Sequence, residues 1–406
     1  MAQVQQPVNA ASGSQNQMQA NYAARQAVLQ QGYPMMQQIF SQSVNPANTT
    51  VLNIPPQNVG LIKGFIVEVV TNFTVAATTA LALTPFGTAN IIQNVLFSDL
   101  QNYQRINTSG LHIALLNSAK QGRPFMSDTA TDYPTGTGGY GGNYFSQYAP
   151  SAPAGGSTSA TRFLMWVPLA YNHSDLTGSI YAGVVNATMN LQLTLCNSAQ
   201  FAVATGDPVT AVYSGNTATV NSHTVTVYQC YQDQLPQGKQ GLILPQIDIN
   251  TIYELKNTTT AAITQAQDNY FGYSNFRHFM STFAFFHNGS SWNSKPNSGT
   301  NSFPGGNGEF GADVNYWSFR TANYTDTRKA DPWVWKGLEA QRLMEQFPVE
   351  VFYFDTRDKP IYTTQTGNVN LVLNPSIANS GAYVQTMYEM LANVNNLVNA
   401  GSLGVS

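Results

Sequence analysis

Thr188-Met189-Asn190-Leu191-Gln192-Leu193-Thr194-Leu195 alternates polar and apolar side chains without a break. Successive side chains of a strand point to opposite faces, so this stretch reads as a strand with one face in a core. His223-Thr224-Val225-Thr226-Val227-Tyr228 repeats the pattern. Further strand candidates lie at 60–71, 90–97, 110–117, 161–170, 276–287, 350–354 and 367–374, separated by clusters of Gly, Pro, Asn and Ser. Many short strands without alternating helices predict sandwiches or barrels rather than a parallel α/β sheet.

Only 9% of the 406 residues are Asp, Glu, Lys or Arg, against about 25% in ordinary soluble domains. Asn, Gln, Ser, Thr and a 12% share of aromatics fill the deficit. Protein interfaces lose charge and gain Tyr, Trp, Phe and Met, so much of this chain's surface is expected to meet other protein. A net charge of −3 gives no electrostatic footprint for nucleic acid. No apolar run approaches a membrane span, and the N-terminus lacks the basic and apolar regions of a secretory signal. Cys196 and Cys230, the two cysteines, are too few for a disulfide framework and read as reduced, mostly buried small hydrophobes.

Residues 1–49 are rich in Gln, Asn and Ala, and within them Met18, Tyr22, Arg25 and Leu29 form one narrow helical stripe. Gly32-Tyr33-Pro34 stops that helix. A lone helix is marginal in water, so this arm is expected to dock, with Arg25 meeting lipid headgroups or an acidic neighbour. Two Gly- and Pro-rich loops, at roughly 133–160 and 288–312, are expected to project from the scaffold. Leu235-Pro236-Gln237-Gly238-Lys239 reads as a break between two halves. A short helix is expected near 332–347, with Asp331 as N-cap, Pro332 in the first position, and Trp335, Leu338, Arg342, Leu343 and Phe347 as packing groups. Charge concentrates around it, and Arg320, Asp326, Arg328, Lys329, Asp355, Arg357, Asp358 and Lys359 are candidates for an ionic network between elements or subunits.

Enzymatic motifs are missing. Gly136-Thr137-Gly138-Gly139-Tyr140-Gly141 satisfies GxGxxG literally, but it lacks the preceding strand and following helix that a dinucleotide phosphate needs. His112, His173, His223, His278 and His287 show no metal-ligand spacing, and His112 and His223 fall on expected strands. Asp326-Thr327-Arg328 and Asp355-Thr356-Arg357-Asp358-Lys359 place carboxylates beside cations, which suits ion pairing better than acid–base catalysis. No catalytic residue, cofactor or metal is assigned. A receptor- or glycan-binding jelly-roll spike using Trp292, Trp317, Tyr140 or Tyr144 is the alternative class of function, although no trimeric stalk repeat accompanies it.

Several stretches carry a family resemblance. They are Arg25-Gln26-Ala27-Val28-Leu29-Gln30-Gln31-Gly32-Tyr33-Pro34, Asn58-Val59-Gly60-Leu61-Ile62-Lys63-Gly64-Phe65, Trp166-Val167-Pro168-Leu169-Ala170-Tyr171, Asp326-Thr327-Arg328-Lys329 and Arg357-Asp358-Lys359-Pro360-Ile361-Tyr362-Thr363. In order, these resemble the major capsid protein of tectiviruses, icosahedral phages with a membrane inside the shell. The resemblance implies a mainly β fold of two eight-stranded jelly-roll barrels and a homotrimer of pseudo-hexagonal outline that tiles the shell. It divides the chain into an N-terminal arm (1–49), a first jelly roll (50–238), a second (239–384) and a C-terminal arm (385–406). Neighbouring trimers, vertex (penton) and minor capsid proteins are the implied partners. The N-terminal arm would contact the internal membrane peripherally, with no specific nucleic acid bound. The implied location is the virion shell, assembled in the host cytoplasm.

Overall fold

A computed structural model describes residues 9–48, 50–84, 86–121, 147–171, 176–183, 188–204, 210–261, 263, 266–273, 277–289, 314–321, 324–343, 347, 351–356, 361–362, 369–376 and 381–393. In the first half, the strands of four or more residues are β1 (Tyr33–Val44), β2 (Val51–Ile54), β3 (Leu61–Val75), β4 (Ile92–Ser98), β5 (Gln104–Thr108), β6 (Thr158–Pro168), β7 (Asn190–Leu195) and β8 (Ala218–Asp233). In the second half they are β9 (Thr251–Ala261), β10 (Asn269–Gly272), β11 (Arg277–His287), β12 (Val314–Thr321), β13 (Tyr324–Ala330), β14 (Phe352–Asp355), β15 (Val369–Pro375) and β16 (Tyr383–Asn393).

The pairing order repeats. The first half forms sheets β1-β8-β3-β6 and β2-β7-β4-β5; the second forms β9-β16-β11-β14 and β10-β15-β12-β13. Numbered within its own half, each set runs 1-8-3-6 and 2-7-4-5, the double Greek-key order of a jelly roll. The halves are fused through strands: β5 pairs in parallel with β9 at Leu255↔Ile106 and Lys256↔Asn107. Fifth strand of one roll thus meets first strand of the next, and two sheets become one.

Alternation builds the cores. β7 shows inward Leu191, Leu193 and Leu195 between half-exposed Asn190, Gln192 and Thr194. Its inward residues join Phe65, Phe73, Val95, Phe97, Val225 and Val227 in the first core. The second core is more aromatic and contains Phe279, Phe286, Trp317, Phe319, Phe352 and Phe354. Trp317 stacks on Phe352 with centroids 4.7 Å apart and planes 12° apart. Burying each such side chain contributes roughly 1.5–3 kcal/mol.

Three helices of eight residues or more are described: α1 (Asn9–Gln31), α2 (Gly110–Gln121) and α3 (Pro332–Leu343). α2 corrects the strand expected at 110–117. Buried Leu111, Leu115, Leu116 and Ala119 follow helical spacing, and the Ser109 hydroxyl accepts the His112 amide as an N-terminal cap, at 3.2 Å. α3 begins as expected, with the Val334 amide donating to Asp331 Oδ1 at 2.9 Å. Trp335, Leu343 and Phe347 are buried, but Leu338 is 48% exposed and does not pack inward.

The expected arms also need correction. Residues 33–44 form the edge strand β1, paired from Tyr33↔Asp233 to Val44↔His223. Residues 385–393 belong to β16, held between β9 and β11, so no C-terminal arm begins at 385. Residues 394–406 lie outside the described set. The second part of the first long loop does not project. Gln147–Tyr148 pairs with β6, and the Leu81 and Leu83 amides donate to Pro153 and Ser151 carbonyls, both at 3.0 Å. Residues 133–146 of that loop, and 290–312 of the other, fall outside the described residues.

Candidate functional site: the junction of the two halves and the arm docked on it

Charge is scarce in this chain, so where the structure places it is informative. Among the described residues, six ion pairs have a carboxylate side chain no more than 6% exposed: Arg25–Asp248, Arg105–Asp99, Lys120–Glu389, Arg277–Glu254, Lys336–Glu339 and Arg342–Asp355. Removing a charge from water is costly unless it is paired and hydrogen-bonded. These pairs therefore hold elements in fixed relation, and two of them, Arg25–Asp248 and Lys120–Glu389, join the first half of the chain to the second.

The deepest node joins α2 of the first half to β16 of the second. Lys120 Nζ lies 3.1 Å from Glu389 Oε2 and donates to the Tyr171 carbonyl at 2.7 Å and to the Tyr253 hydroxyl at 2.8 Å. Tyr253 donates onward to Glu389 Oε2 at 2.7 Å, and Ser281 donates to Oε1 at 2.8 Å. The ammonium also sits 4.2 Å from the Tyr171 ring centroid, a cation–π contact. A second node follows the parallel β5–β9 seam. Arg277 Nε donates to Glu254 Oε2 at 2.9 Å, and the Tyr103 hydroxyl donates to Glu254 Oε1. Burial, then the adjacent Glu254 carboxylate, pushes the Tyr103 phenol well above its ordinary value, so it stays a donor.

α1 docks at one end of this seam. Val28 is fully buried with Leu61 and Leu176, beside half-buried Leu29, Leu235 and Ile249. Arg25 forms a two-pronged pair with Asp248, with Nε at 2.9 Å from Oδ2. Thr177 donates to the same carboxylate at 3.2 Å, and Asn21 Oδ1 accepts the Ile247 amide at 3.0 Å. The docking face therefore runs through Asn21, Ala24, Arg25 and Val28. This shifts the stripe read from sequence: Leu29 is only half-buried, and Tyr22 is 64% exposed. Nothing is described of the Met18 side chain. Arg25 meets an acidic neighbour within its own chain. Gly32 lets β1 begin at once, since a Cβ there would lie 2.5 Å from the Val28 carbonyl oxygen.

Asp248→Asn tests the dock. Arg25 is the first basic residue, and the next is Lys63, so tryptic cleavage after Arg25 reports undocking of α1. Losing a charge-assisted pair weakens the contact by about 1.5–3 kcal/mol, so cleavage is expected to speed up about tenfold or more. An unchanged cleavage rate would show that the apolar contacts alone hold the arm.

The ionic cluster expected around 320–359 divides. Arg320 pairs with Asp268 at 2.9 Å and lies over Tyr270, while Lys329 sits 3.9 Å from the Tyr316 ring centroid. Asp355 accepts from Tyr353 at 2.6 Å and lies 3.5 Å from Arg342, on the other side of the second core. The side chains of Asp326 and Arg328, and all of Arg357, Asp358 and Lys359, fall outside what is described. Sequence reading missed Lys120, Glu254, Arg277, Asp248 and Glu389. The available signal was a lone charge inside an apolar run, as in Met387-Tyr388-Glu389-Met390-Leu391. Among the histidines, His223 is satisfied by Thr71 at 2.8 Å and the Cys196 carbonyl at 2.9 Å. Burial holds His112 down at about 3, so it is neutral; its Nδ1 lies 2.7 Å from the Thr108 hydroxyl. Trp317 is fully buried and cannot serve a glycan site; Trp292, Tyr140 and Tyr144 are outside the described residues.

Comparisons with known proteins agree with this architecture. The P3 major capsid protein N-terminal family matches residues 1–235, and the P3 major capsid protein C-terminal family matches 250–405. The major capsid protein P3 of Enterobacteria phage PRD1 is 42% identical over 414 residues, covering 100% of both chains. Among solved structures, that of the Sulfolobus turreted icosahedral virus matches at TM-score 0.58 and 12% identity, covering 91% of this chain and 94% of the other. Vp54 of PBCV-1 matches at 0.52 and 10% identity, covering 88% and 93%. At such low identity these two show the fold alone, that of double jelly-roll capsid proteins. The family breakpoint falls between 235 and 250, where the strand order restarts and Asp248 receives the arm. The chain belongs to the P3 family of tectivirus major capsid proteins and is a structural subunit of the virion shell.

Proposed function

We propose that this capsid subunit works as a homotrimer of pseudo-hexagonal outline, and that such trimers tile the shell around an internal membrane. The repeated strand order carries the reading: two similar rolls side by side in each of three chains supply six similar corners. The placement of charge supports it. With so many carboxylates paired inside the subunit, the surfaces left for contact between copies are rich in Asn, Gln, Ser and Thr, with Tyr22, Tyr33, Tyr148 and Tyr270 exposed among the described residues. Such contacts are weakly screened, so the trimer is expected to persist at molar salt. Sedimentation showing monomers at high salt would overturn this, and electron microscopy of the purified oligomer tests the hexagonal outline directly.

In this reading, neighbouring trimers and vertex and minor capsid proteins are the further partners, and the N-terminal segment faces the membrane. α1 supports a peripheral contact rather than a crossing: among the described residues, no helix is long and apolar enough to span a bilayer. With Arg25 held by Asp248, attraction to lipid headgroups would have to come from elsewhere on the inner face. Deleting residues 1–31 spares β1 and is the cleaner test of the arm than deletion through 49. The truncated chain is expected to trimerise but to fail to close shells around vesicles.

A further inference from the structure

β11 ends on His287, and Asn288-Gly289 follows at the entry to the second long loop. The ladder with β16 closes at His287↔Tyr383, so the next two residues leave the sheet. Gly289 turns the chain at φ 98°, a conformation open to glycine. The turn brings its amide back to donate to His287 Nδ1 at 3.2 Å. An imidazole nitrogen that accepts a hydrogen bond is unprotonated and basic, and this one is aimed at the amide that follows an asparagine. We propose that His287, Asn288 and Gly289 form a self-modification site, at which Asn288 loses its side-chain amide through a cyclic imide.

Each residue has a part in the step. His287 Nδ1 takes the proton of the Gly289 amide, whose nitrogen attacks the Asn288 side-chain carbonyl carbon and closes the ring. The imidazolium returns that proton to the departing side-chain nitrogen, which leaves as ammonia. Water then opens the imide at either carbonyl and leaves an aspartyl or an isoaspartyl residue at position 288; nothing is oxidised or reduced. Glycine matters because it has no Cβ to crowd the ring. The base matters because Asn288 is only 7% exposed, which keeps solvent hydroxide from the amide. His287 and Gly289 are half-buried and leave water a path to the imide. The imidazole is held by stacking on Tyr383 of β16, with centroids 5.1 Å and planes 25° apart, and that phenol is the titratable group packed on it. Asn117-Ser118 and Asn221-Ser222 lie inside α2 and β8 instead, where regular backbone and the serine Cβ oppose ring closure. The product adds a carboxylate to a charge-poor chain at the root of the 288–312 loop. A subunit in a finished shell is not remade, so the change accumulates with the age of the particle.

Incubation of the purified full chain in mildly alkaline buffer, followed by peptide mapping by mass spectrometry, tests it. Chymotrypsin cleaves after Phe286 and Trp292, so fragment 287–292 carries this Asn-Gly by itself, while Asn307-Gly308 falls in fragment 293–310. Conversion of amide to acid is expected in 287–292, with aspartyl and isoaspartyl forms separating on reversed-phase chromatography. Asn288→Gln, whose longer side chain closes the ring far less readily, is expected to abolish it. His287→Phe keeps a ring against Tyr383 and is expected to slow conversion about tenfold or more. The pH profile distinguishes a base from a ring that only shapes the turn. The parent rate is expected to level off once the imidazole is neutral, whereas the His287→Phe rate keeps rising with hydroxide. An unconverted 287–292 alongside a converting 293–310 overturns the proposal. Equal rates and matching pH profiles for His287→Phe and the parent overturn it as well. If His287→Phe folds poorly, the parent profile decides: a plateau supports the site, and a rise with hydroxide throughout sinks it.

Discussion

Lys120→Ala is expected to lower the thermal midpoint of the subunit by on the order of 10 °C and to reduce its soluble yield. Glu389 is fully buried and takes hydrogen bonds from Tyr253 and Ser281 as well as the Lys120 ammonium. Removing the cation takes the Lys120 counter-charge from an interior carboxylate that the Tyr253 and Ser281 hydroxyls continue to bond. Breaking one side of a buried pair costs about 3–5 kcal/mol, a large fraction of the roughly 5–15 kcal/mol that holds a domain folded. The loss falls on the joint between the halves, because Lys120 comes from the first roll and Glu389, Tyr253 and Ser281 from the second. Lys120→Met combined with Glu389→Gln removes both charges and is expected to recover most of the loss. Thermal unfolding of the three proteins checks this. An unaltered midpoint for Lys120→Ala would show that the two rolls are held by strand pairing and apolar packing without the ionic node.

How far the sequence could be read follows from what each element does. β7 is plain because one face lies on a core and the other on solvent, so period-two alternation appears undiluted. α2 was concealed because Leu111, Ile113 and Leu115 also satisfy alternation; Leu116, Ala119 and the Ser109 cap break the tie. β1 carried no strand signal, because an edge strand with most residues exposed has little need of apolar alternation. The helical arm was legible as a docking element, but its face was displaced: Arg25, chosen for charge, was right for a reason that only the position of Asp248 reveals. Local density of charge was a partial guide to ionic networks: Lys336–Glu339 and Arg342–Asp355 pair within the charge-dense stretch, whereas Arg320 pairs outside it with Asp268. Lone charges in apolar strands, such as Glu254 and Glu389, mark the seam instead, because their burial demands a partner that the fold brings from far away.

Leu193→Asp is expected to abolish folding of the first roll. Leu193 is fully buried at the centre of β7, opposite Leu52 on one side and Val95 on the other. The substitution removes a core side chain contributing roughly 1.5–3 kcal/mol. It also places a carboxylate among hydrocarbons with no cation described nearby, at a further cost of several kcal/mol. The sum approaches the whole stability of a domain. Thr194→Asp makes the matching control, since Thr194 is half-exposed and sits opposite Val51 and Asn94 on the other face of the same strand. It is expected to leave soluble yield and melting close to the parent. Expression and thermal unfolding of the pair decide the matter. Equal yield and equal melting for Leu193→Asp and the parent would refute the register of β7. If Thr194→Asp instead melts normally but fails to trimerise or to enter particles, the outward face of β7 is itself a contact between copies, and the neutral surface there serves assembly.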